Sequence, residues 1–400
     1  MLSKKRKDSF DDSSIKVPFF TPYISKEDKK VVNNALDSVL LTVGPMLSKF
    51  ESHFCKFTGS KHAIGVSSAT AALHMSLKSA GVGPGDEVIV PDITFVATAN
   101  AVLMTGATPV LVDVDKHDFT ISIDSIRKSI SRKTKSIIPV HFAGKSCQMD
   151  QIMSIAKKNN LSVIEDCAHA IGTKFKKKHV GTMGDFGCFS FYPTKNITTL
   201  EGGMIITNSK KYAEYNKLIR NHGITKTLRD RYVKGIPWEY DVVEPGYNYR
   251  LDEIRSSLGI SQLKRIKSIN SKRRKAFQYY VKHLSGIDGI ITPITHELEN
   301  QSCHLFIIKI KKDEFGYDRN YVFKKLLARG IRTSVHYKPL HLLSLSKKTK
   351  IYDELQNSKI LFEQMLSLPF FTNISKKEQE LVVKELKRIQ KGNSKFRRFS

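Results

Sequence analysis

Short apolar runs alternate with helix-length stretches between about residues 59 and 208 of this chain. Most of the runs are apolar at successive positions, which is typical of strands that are covered by helices on both faces. The runs are residues 63–66, 87–90, 109–112, 136–140, 162–164, 188–191 and 203–206, with helix-length stretches such as 70–79 and 95–105 between them. The alternation predicts an α/β protein whose large domain has a mostly parallel mixed sheet between helices.

The second half of the chain predicts a smaller α/β unit. Its elements are a long charged helix over residues 251–283, a strand at 305–310, and helices at 321–329 and 375–390. Ser375 and Glu378 have capping-box spacing at the start of the last helix, and Ser25 with Asp28 is a weaker version near the start of the chain. We expect a basic and polar tail over residues 1–14, a large domain over 15–262 and a small C-terminal domain over 263–400.

The charge balance favours anionic partners. Lys and Arg total 66 against 38 Asp and Glu, which gives a formal net charge of +28. A field of that sign attracts nucleic acid, an anionic lipid surface or a diphosphate-bearing substrate. The tight clusters lie only at the ends, at Lys4-Lys5-Arg6-Lys7 and Lys395-Phe396-Arg397-Arg398, where charge runs are usually solvated tails. Because no zinc-finger spacing or aromatic-basic RNA motif accompanies the charge, we do not expect a nucleic-acid function.

Cysteine usage and hydropathy indicate a reduced, cytoplasmic protein that does not bind a membrane. The five cysteines are odd in number, widely spaced and without a C-x-x-C pair, so we expect buried thiols and no metal site. No run of about 18 apolar residues predicts a spanning helix. The first residues are basic and then acidic and serine-rich, where a signal peptide would be apolar.

Candidate chemistry follows three predicted strands, since ligands of parallel sheets bind beyond the carboxyl ends of the strands. Residues 67–73 are small and hydroxylated at a helix start, which suits either a plain N-cap or a phosphate site. Asp166 follows the predicted strand that contains Val163 and Ile164. A buried carboxylate at that position needs either a structural cation or a cationic ligand. Both readings remain open for each of these two places.

Lys195 follows an aromatic strand and precedes the glycine pair Gly202-Gly203. Its neighbours are apolar, so partial burial is expected, and burial lowers the pKa of a lysine and frees its amine as a nucleophile. An amine, a carboxylate and an anion-binding helix start are together what pyridoxal phosphate (PLP) requires. The conjunction is more specific than any of its parts.

At these residues the chain resembles the DegT/DnrJ/EryC1/StrS sugar aminotransferases, from about Val17 to the last helix. The segments that carry the resemblance are 41–45 (LTVGP), 68–73 (SATAAL), 91–98 (PDITFVAT), 139–144 (PVHFAG), 165–170 (EDCAHA), 189–195 (FSFYPTK), 201–203 (EGG) and 246–252 (GYNYRLD). The resemblance implies a type I PLP-dependent transferase fold and PLP as cofactor.

The resemblance also implies residue roles. Lys195 would form the Schiff base with PLP, and Asp166 would pair with the pyridinium nitrogen. Phe95 would stack on the ring and His169 would reach the ring hydroxyl. The phosphate would be held by the remaining cofactor residues, Ala69, Thr70, Ser190 and Asn248, the last from the partner subunit of a homodimer. Candidate substrate residues are Arg250, His336 and Tyr337.

The implied reaction is amino transfer from glutamate to a keto carbon of a nucleotide-diphosphate keto-deoxysugar, with C4 favoured. This chain has Tyr192 where such members often have histidine, and Leu200 where they have a small residue, so the sugar stays open. One alternative is a PLP-dependent sugar dehydratase of the same family, in which histidine usually replaces the lysine. Another is a non-catalytic regulatory protein, for which a degenerate site is expected. Lys195 argues against the dehydratase, and the presence of Lys195, Asp166 and the phosphate residues argues against the regulatory protein.

Overall fold

The computed structural model describes residues 14–38, 40–42, 44–226 and 235–396, without the side chains of residues 393–396. The basic cluster at residues 4–7 lies outside the described residues, as do Arg397 and Arg398 of the second cluster. Nearly all of the expected tail over residues 1–14 also lies outside them.

A large sheet is the centre of the fold. Within the described residues it has eight strands in the order β1-β9-β8-β5-β4-β2-β3-β12. Their bounds are β1 His62–Val66, β2 Glu87–Pro91, β3 Thr108–Val112, β4 Thr134–Ile137, β5 Ser162–Asp166, β8 Phe186–Ser190, β9 Gly203–Thr207 and β12 Lys350–Ile351. Because most of these strands are buried along their whole length, the sheet is covered on both faces.

The large sheet is mixed and mostly parallel, as the pattern of apolar runs predicts. β8, β5, β4, β2, β3 and β12 pair in parallel, and β9 pairs antiparallel with both β8 and β1. β1 therefore runs in the same direction as the parallel strands, and the carboxyl ends of β1, β2, β5 and β8 lie at one edge of the sheet.

Helices cover the sheets and continue into the C-terminal part. Their bounds are α1 Lys26–Leu36, α2 Pro45–Thr58, α3 Ala69–Ser79, α4 Ala97–Met104, α5 Ile123–Ser129, α6 Met149–Lys158, α7 Lys210–Ile219, α8 Glu253–Lys264, α9 Ile266–Leu284, α10 Lys312–Phe315, α11 Arg319–Leu327, α12 Gln356–Gln364 and α13 Lys376–Phe396. The long helix expected over residues 251–283 is two helices that meet at Arg265. Both predicted capping boxes form, at Ser25 with Asp28 and at Ser375 with Glu378.

A small sheet organises much of the C-terminal part. Its strands are β10 Ile290–Ile291, β11 Ile307–Ile310 and β13 Met365–Ser367, paired antiparallel with β11 in the middle. α9, α11 and α13 share one hydrophobic core with this sheet. Val17, near the start of the described chain, lies in the same core and pairs with Ile331. A two-stranded ribbon, β6 Lys174–Phe175 with β7 Lys178–His179, lies apart from both sheets.

Each of the five cysteines, all within the described residues, is a free thiol, and four of them are buried. Among the described helices, none combines the length and the apolar character needed to cross a bilayer.

Candidate active site

A cavity of about 460 Å³ opens at the carboxyl ends of β1, β5 and β8. It is lined by residues from all three strand ends, from the loop after β2, and from the segment before β12. The residues that the sequence predicts and that line it are Ala69, Thr70, Phe95, Asp166, His169, Ser190, Lys195, His336 and Tyr337. The structure therefore brings together nine of the eleven predicted site residues in one chain.

The start of α3 forms one wall of the cavity. Ser68 is the N-cap of this helix, and its hydroxyl accepts a hydrogen bond from the backbone N–H of Ala71 at 3.1 Å. The backbone N–H groups of Ala69 and Thr70 have no acceptor among the described residues. Two unpaired N–H groups at the positive end of a helix provide an anion site. The two readings of this segment are thus compatible, since Ser68 caps the helix and the next two residues face the cavity.

Gly203 lets β9 approach this helix start closely. A Cβ atom on Gly203 would lie 2.5 Å from the carbonyl carbon and oxygen of Ser68 and 2.8 Å from the nitrogen of Ala69. Side chains cannot be accommodated at such distances without moving the backbone. The second glycine of the Gly202-Gly203 pair is therefore required by the position of the α3 amides.

Two adjacent carboxylates at the end of β5 have opposite roles. Glu165 is fully buried and its carboxylate accepts hydrogen bonds from His141 Nε2 and from three backbone N–H groups, at 2.7–2.9 Å. The donors of these backbone bonds are Gly181, Met183 and Gly184. These bonds outweigh desolvation and hold the pKa of Glu165 below its ordinary value. Glu165 is thus a structural anion on the face of the strand that points away from the cavity.

Asp166 points into the cavity. Its carboxylate accepts hydrogen bonds from the Thr98 hydroxyl at 3.0 Å and from the backbone N–H of Ala168 at 3.1 Å. Burial nevertheless raises the pKa of Asp166, because these bonds and the nearby Lys195 charge do not compensate the loss of water. A further cationic partner in the cavity would therefore stabilise the ionised form of the Asp166 carboxyl.

Lys195 lies in the turn after β8, and its amine has no hydrogen-bonding partner among the described residues. Burial lowers the pKa of this amine to about 8, against the opposing attraction of Asp166. A lysine with that pKa has a substantial neutral fraction near pH 8 and is nucleophilic there. Amine and carboxylate line the same cavity, as the sequence predicts.

His169 links two walls of the cavity. Its Nδ1 accepts a hydrogen bond from the backbone N–H of Ala143 at 3.3 Å, and its Nε2 lies 3.1 Å from the Tyr337 hydroxyl. Burial and the Lys195 charge hold the pKa of His169 well below its ordinary value, so the ring is neutral. With Nδ1 as acceptor the proton is on Nε2, which donates to the Tyr337 oxygen. The Tyr337 hydroxyl therefore has its own proton available for the cavity, and burial keeps it protonated by raising its pKa.

His336 lies next to Tyr337, with ring centroids 4.9 Å apart. Its Nδ1 lies 2.8 Å from the Ser367 hydroxyl, and its ring stacks on Phe19 with centroids 5.3 Å apart. Burial, followed by the Lys195 charge, lowers the pKa of His336 to about 4. His336 thus presents a neutral ring beside the lysine.

Two aromatic side chains of the cavity, Phe95 and Tyr192, are exposed. Phe95 is 56% exposed and its ring centroid lies 5.7 Å from that of Tyr337. Tyr192 also lines the cavity, whereas Leu200 is 58% exposed and does not line it. Leu200 has a left-handed backbone with φ +70°, a conformation that favours glycine.

Two predicted residues lie elsewhere. Asn248 is exposed and pairs with Asn221 through the backbone, and the guanidinium of Arg250 donates to the side chain of Asn221 at 2.9 Å. Neither residue lines the Lys195 cavity of its own chain. Sequence reasoning missed Thr98 and Ala143, although both lie in the quoted segments and Thr98 is one helical turn from Thr94, its hydrogen-bonding partner at 2.9 Å.

Comparison with known proteins gives the family. Residues 22–387 match the model of the DegT/DnrJ/EryC1/StrS aminotransferase family. The spore coat polysaccharide biosynthesis protein SpsC of Bacillus subtilis is 36% identical over 379 residues, which is 94% of this chain and 97% of SpsC.

Solved structures agree with this match. The putative sugar aminotransferase Spr1654 of Streptococcus pneumoniae, in its PMP-form, has a TM-score of 0.87 and 31% identity, covering 94% of this chain and 99% of that one. Its PLP-form matches at a TM-score of 0.86. Helicobacter pylori PseC, an aminotransferase of pseudoaminic acid biosynthesis, has a TM-score of 0.86 and 32% identity over the same shares of the two chains. This chain therefore belongs to the DegT/DnrJ/EryC1/StrS aminotransferase family and is a PLP-dependent aminotransferase with the type I fold.

Proposed function

We propose that this enzyme transfers an amino group from glutamate to a keto carbon, C4, of a nucleotide-diphosphate keto-deoxysugar by a ping-pong mechanism. The observation that carries the proposal is the convergence of the Lys195 amine, the Asp166 carboxylate and two unpaired helix amides on one cavity.

The residues present fit PLP. The amides of Ala69 and Thr70, with the hydroxyl of Ser190, would hold its phosphate, and Lys195 would hold it through the amine. The buried carboxylate of Asp166 would pair with the cationic ring nitrogen of PLP, which would supply the further cationic partner described above. When bound, PLP supplies an electron sink for charge that develops at the α-carbon of the amino donor.

The side chains of this chain would supply proton transfer and orientation. Lys195 Nζ, as a neutral amine, would take the α-proton of the amino donor and pass it to the aldehyde carbon of the bound cofactor. In the second half of the reaction it would carry a proton in the opposite direction, from that carbon to the keto carbon of the acceptor. Asp166 would remain ionised beside a cation, because an opposite charge lowers the pKa of a carboxyl. Phe95 would cover one face of the ring, and neutral His169 would orient the hydroxyl of Tyr337 toward the substrate.

Support for a sugar nucleotide comes from the part of the cavity wall that His336 and Tyr337 form and from the net charge. His336 and Tyr337 present polar groups beside apolar rings, which suits a deoxysugar with both hydroxyl and methyl groups. The net charge of +28 attracts a diphosphate and glutamate. SpsC and PseC, the relatives named above, belong to polysaccharide and pseudoaminic acid biosynthesis.

A homodimer would complete the site. Asn248 is exposed and outside the cavity of its own chain, so it would reach a phosphate only in a second copy. Arg250 forms a backbone bridge with Val66 at the end of β1. It would lie at the same interface and would bind an anionic group there.

The proposed function is tested with purified protein, PLP, glutamate and a panel of nucleotide-diphosphate keto-sugars. We expect 2-oxoglutarate and an amino-sugar nucleotide, identified by mass spectrometry and by NMR of the aminated carbon. A deoxygenated sugar in place of the amino sugar would identify a dehydratase. Protein that takes up no PLP would contradict enzymatic activity altogether.

Uptake of PLP by the apoprotein should accelerate with pH and level off above about pH 8. The neutral amine is the reacting form of Lys195, and its pKa is lowered to about 8. The rate of growth of visible absorbance, followed by stopped flow from pH 6 to 10, measures this dependence. In Asp166→Asn the midpoint should move to lower pH, because the Asp166 charge raises the pKa of Lys195. A midpoint at the ordinary lysine pKa in the unsubstituted protein would contradict the burial of the amine.

Gly203→Ala should weaken PLP binding by about tenfold or more, since the new methyl group would displace the start of α3. The dissociation constant is measured by titrating the apoprotein with PLP. Gly286→Ala is the matched control, because a Cβ there meets no atom within 4 Å. Equal affinities of the two variants would show that the α3 amides do not hold the phosphate.

A further inference from the structure

The segment of residues 334–343, here called the strap, crosses from the small sheet to the large sheet. At its start, Ser334 and Ser367 exchange two backbone hydrogen bonds of 2.8 and 3.1 Å. At its end, Leu340 is buried in the core of the large sheet. His336 and Tyr337, between these two attachments, line the cavity. The position of both side chains therefore depends on how each end of the strap is attached.

The attachment to the large sheet is made by one residue, Asp92. Asp92 is fully buried directly after β2, and its carboxylate accepts hydrogen bonds from the backbone N–H of His341 at 2.9 Å and from the ring at 2.6 Å. The backbone carbonyl of Asp92 also accepts from the N–H of Leu340 at 2.9 Å. Three hydrogen bonds thus join two places that are 249 residues apart in sequence.

The ring nitrogen that bonds to Asp92 is Nδ1 of His341, and the side chain is 11% exposed. Its Nε2 is buried and has no hydrogen-bonding partner among the described residues. A buried, unpaired nitrogen costs free energy. The burial of the His341 ring is therefore unfavourable for Nε2. The hydrogen bond from Nδ1 to Asp92 is the interaction that offsets this cost.

Asp92 also begins the loop that carries the opposite wall of the cavity. Thr94 bonds to Thr98, which donates to Asp166, and Phe95 lies against Tyr337. The pair formed by Asp92 and His341 consequently fixes the strap to the same loop that orients the catalytic carboxylate. A displacement of the strap would move Tyr337 relative to this loop.

We propose that Asp92 and His341 are positioning residues, which hold the strap so that His336 and Tyr337 meet the amino acceptor. The proposal rests on the proposed function, since the acceptor is the keto-sugar nucleotide. Neither residue lines the cavity, so their effect on the reaction is transmitted through the strap.

A polar contact that only stabilises the fold should not affect KM when it is broken. The chain contains such a contact between the C-terminal part and the large sheet, which serves as a comparison. Lys350 donates to the buried carboxylate of Glu87 at 2.7 Å, at the opposite end of β2 from Asp92. This pair also joins the C-terminal part to the large sheet, and it is remote from the strap. Breaking it tests the loss of an ion pair between a half-exposed lysine and a buried carboxylate, without a change in the cavity wall.

The experiment compares His341→Leu, which removes the ring donor, with His341→Asn, whose amide nitrogen takes the place of Nδ1. Lys350→Met is the matched control. Holoenzyme kinetics should show a KM for the sugar nucleotide that is raised about tenfold in His341→Leu, with kcat and PLP affinity nearly unchanged. His341→Asn should restore KM to within about threefold of the original, and Lys350→Met should not change it.

Two results would overturn the proposal: an unchanged KM in His341→Leu, or an equal rise in Lys350→Met. If His341→Leu does not fold, Asp92→Asn replaces it, since its side-chain oxygen can still accept from the backbone N–H of His341. KM should then rise by a smaller factor, about threefold, because the backbone bond is kept and the ring faces a neutral amide in place of a carboxylate.

A readout that needs no substrate separates this proposal from the proposed function. Hydrogen exchange of residues 334–343 should be at least about tenfold faster in His341→Leu than in the unsubstituted protein, with α3 unchanged. If no keto-sugar nucleotide is aminated by the unsubstituted enzyme, the proposed function fails. Unchanged exchange in the strap would instead overturn the role of Asp92 and His341.

Discussion

Lys195→Ala should reduce kcat for amino transfer by about 10⁴-fold, at the upper end of what general acid–base catalysis contributes. In the proposed mechanism the variant loses both the amine that would hold PLP and the group that would carry the proton. The visible absorbance of the bound cofactor should change at the same time, because the proposed bond to Lys195 could no longer form. Turnover with glutamate and the spectrum of the holoenzyme measure the two effects separately.

The fold should survive this substitution. Burial lowers the pKa of the Lys195 amine to about 8, so at neutral pH the folded apoprotein carries a charge that is costly to bury. Removing it should change the thermal midpoint of the apoprotein little, because the relief of this desolvation opposes the loss of the attraction to Asp166. Lys309→Ala is the matched control for both turnover and stability. Burial also lowers the pKa of Lys309, but this lysine lines a different cavity. Substantial turnover in Lys195→Ala would exclude Lys195 from the reaction.

Asp166→Asn should lower kcat by about 10²- to 10³-fold, the usual loss when one preorganised charge is removed from an active site. The amide is nearly isosteric and can still accept from Thr98 or from Ala168, so PLP should remain bound. What is lost is the negative charge that, in the proposed mechanism, would keep the ring nitrogen protonated. The pH dependence of the cofactor spectrum should report this loss, through a lower pKa of the ring nitrogen in the variant.

Asp113→Asn provides the comparison for Asp166→Asn. Asp113 is also a buried carboxylate directly after a strand, and it accepts hydrogen bonds from the backbone of Asn357 and Ser358 at 2.8 Å. Because it does not line the cavity, its substitution should lower the free energy of unfolding and leave turnover nearly unchanged. Equal losses of kcat in the two variants would mean that Asp166 has only a structural role.

Much of the site could be predicted from the sequence, because strand ends are visible in the pattern. The apolar run before Asp166 and the aromatic run before Lys195 place both residues at the carboxyl edge of a parallel sheet. A helix start after Val66 places Ala69 and Thr70 there as well. These are local signals, and the structure confirms the shared edge.

Other features depend on contacts that local patterns do not contain. β9 runs opposite to its neighbours, yet its apolar run looks like that of a parallel strand because both faces are buried. The four hydrogen bonds that distinguish Glu165 from Asp166 come from His141 and from a loop after β7. Asp92 and His341 are polar residues in unremarkable surroundings until the fold brings them together. Long-range polar pairs of this kind have no periodicity by which a sequence predicts them.

The short strand β12 has a consequence for dissecting this protein. Lys350 and Ile351 pair in parallel with Val110 and Leu111, so the last strand of the large sheet comes from the C-terminal part. A fragment that ended before residue 350 would leave β3 with an open row of backbone N–H and C=O groups along an apolar strand. Such an edge recruits strands from other molecules, so truncated forms should self-associate, and the N-terminal part is not a self-sufficient unit for study.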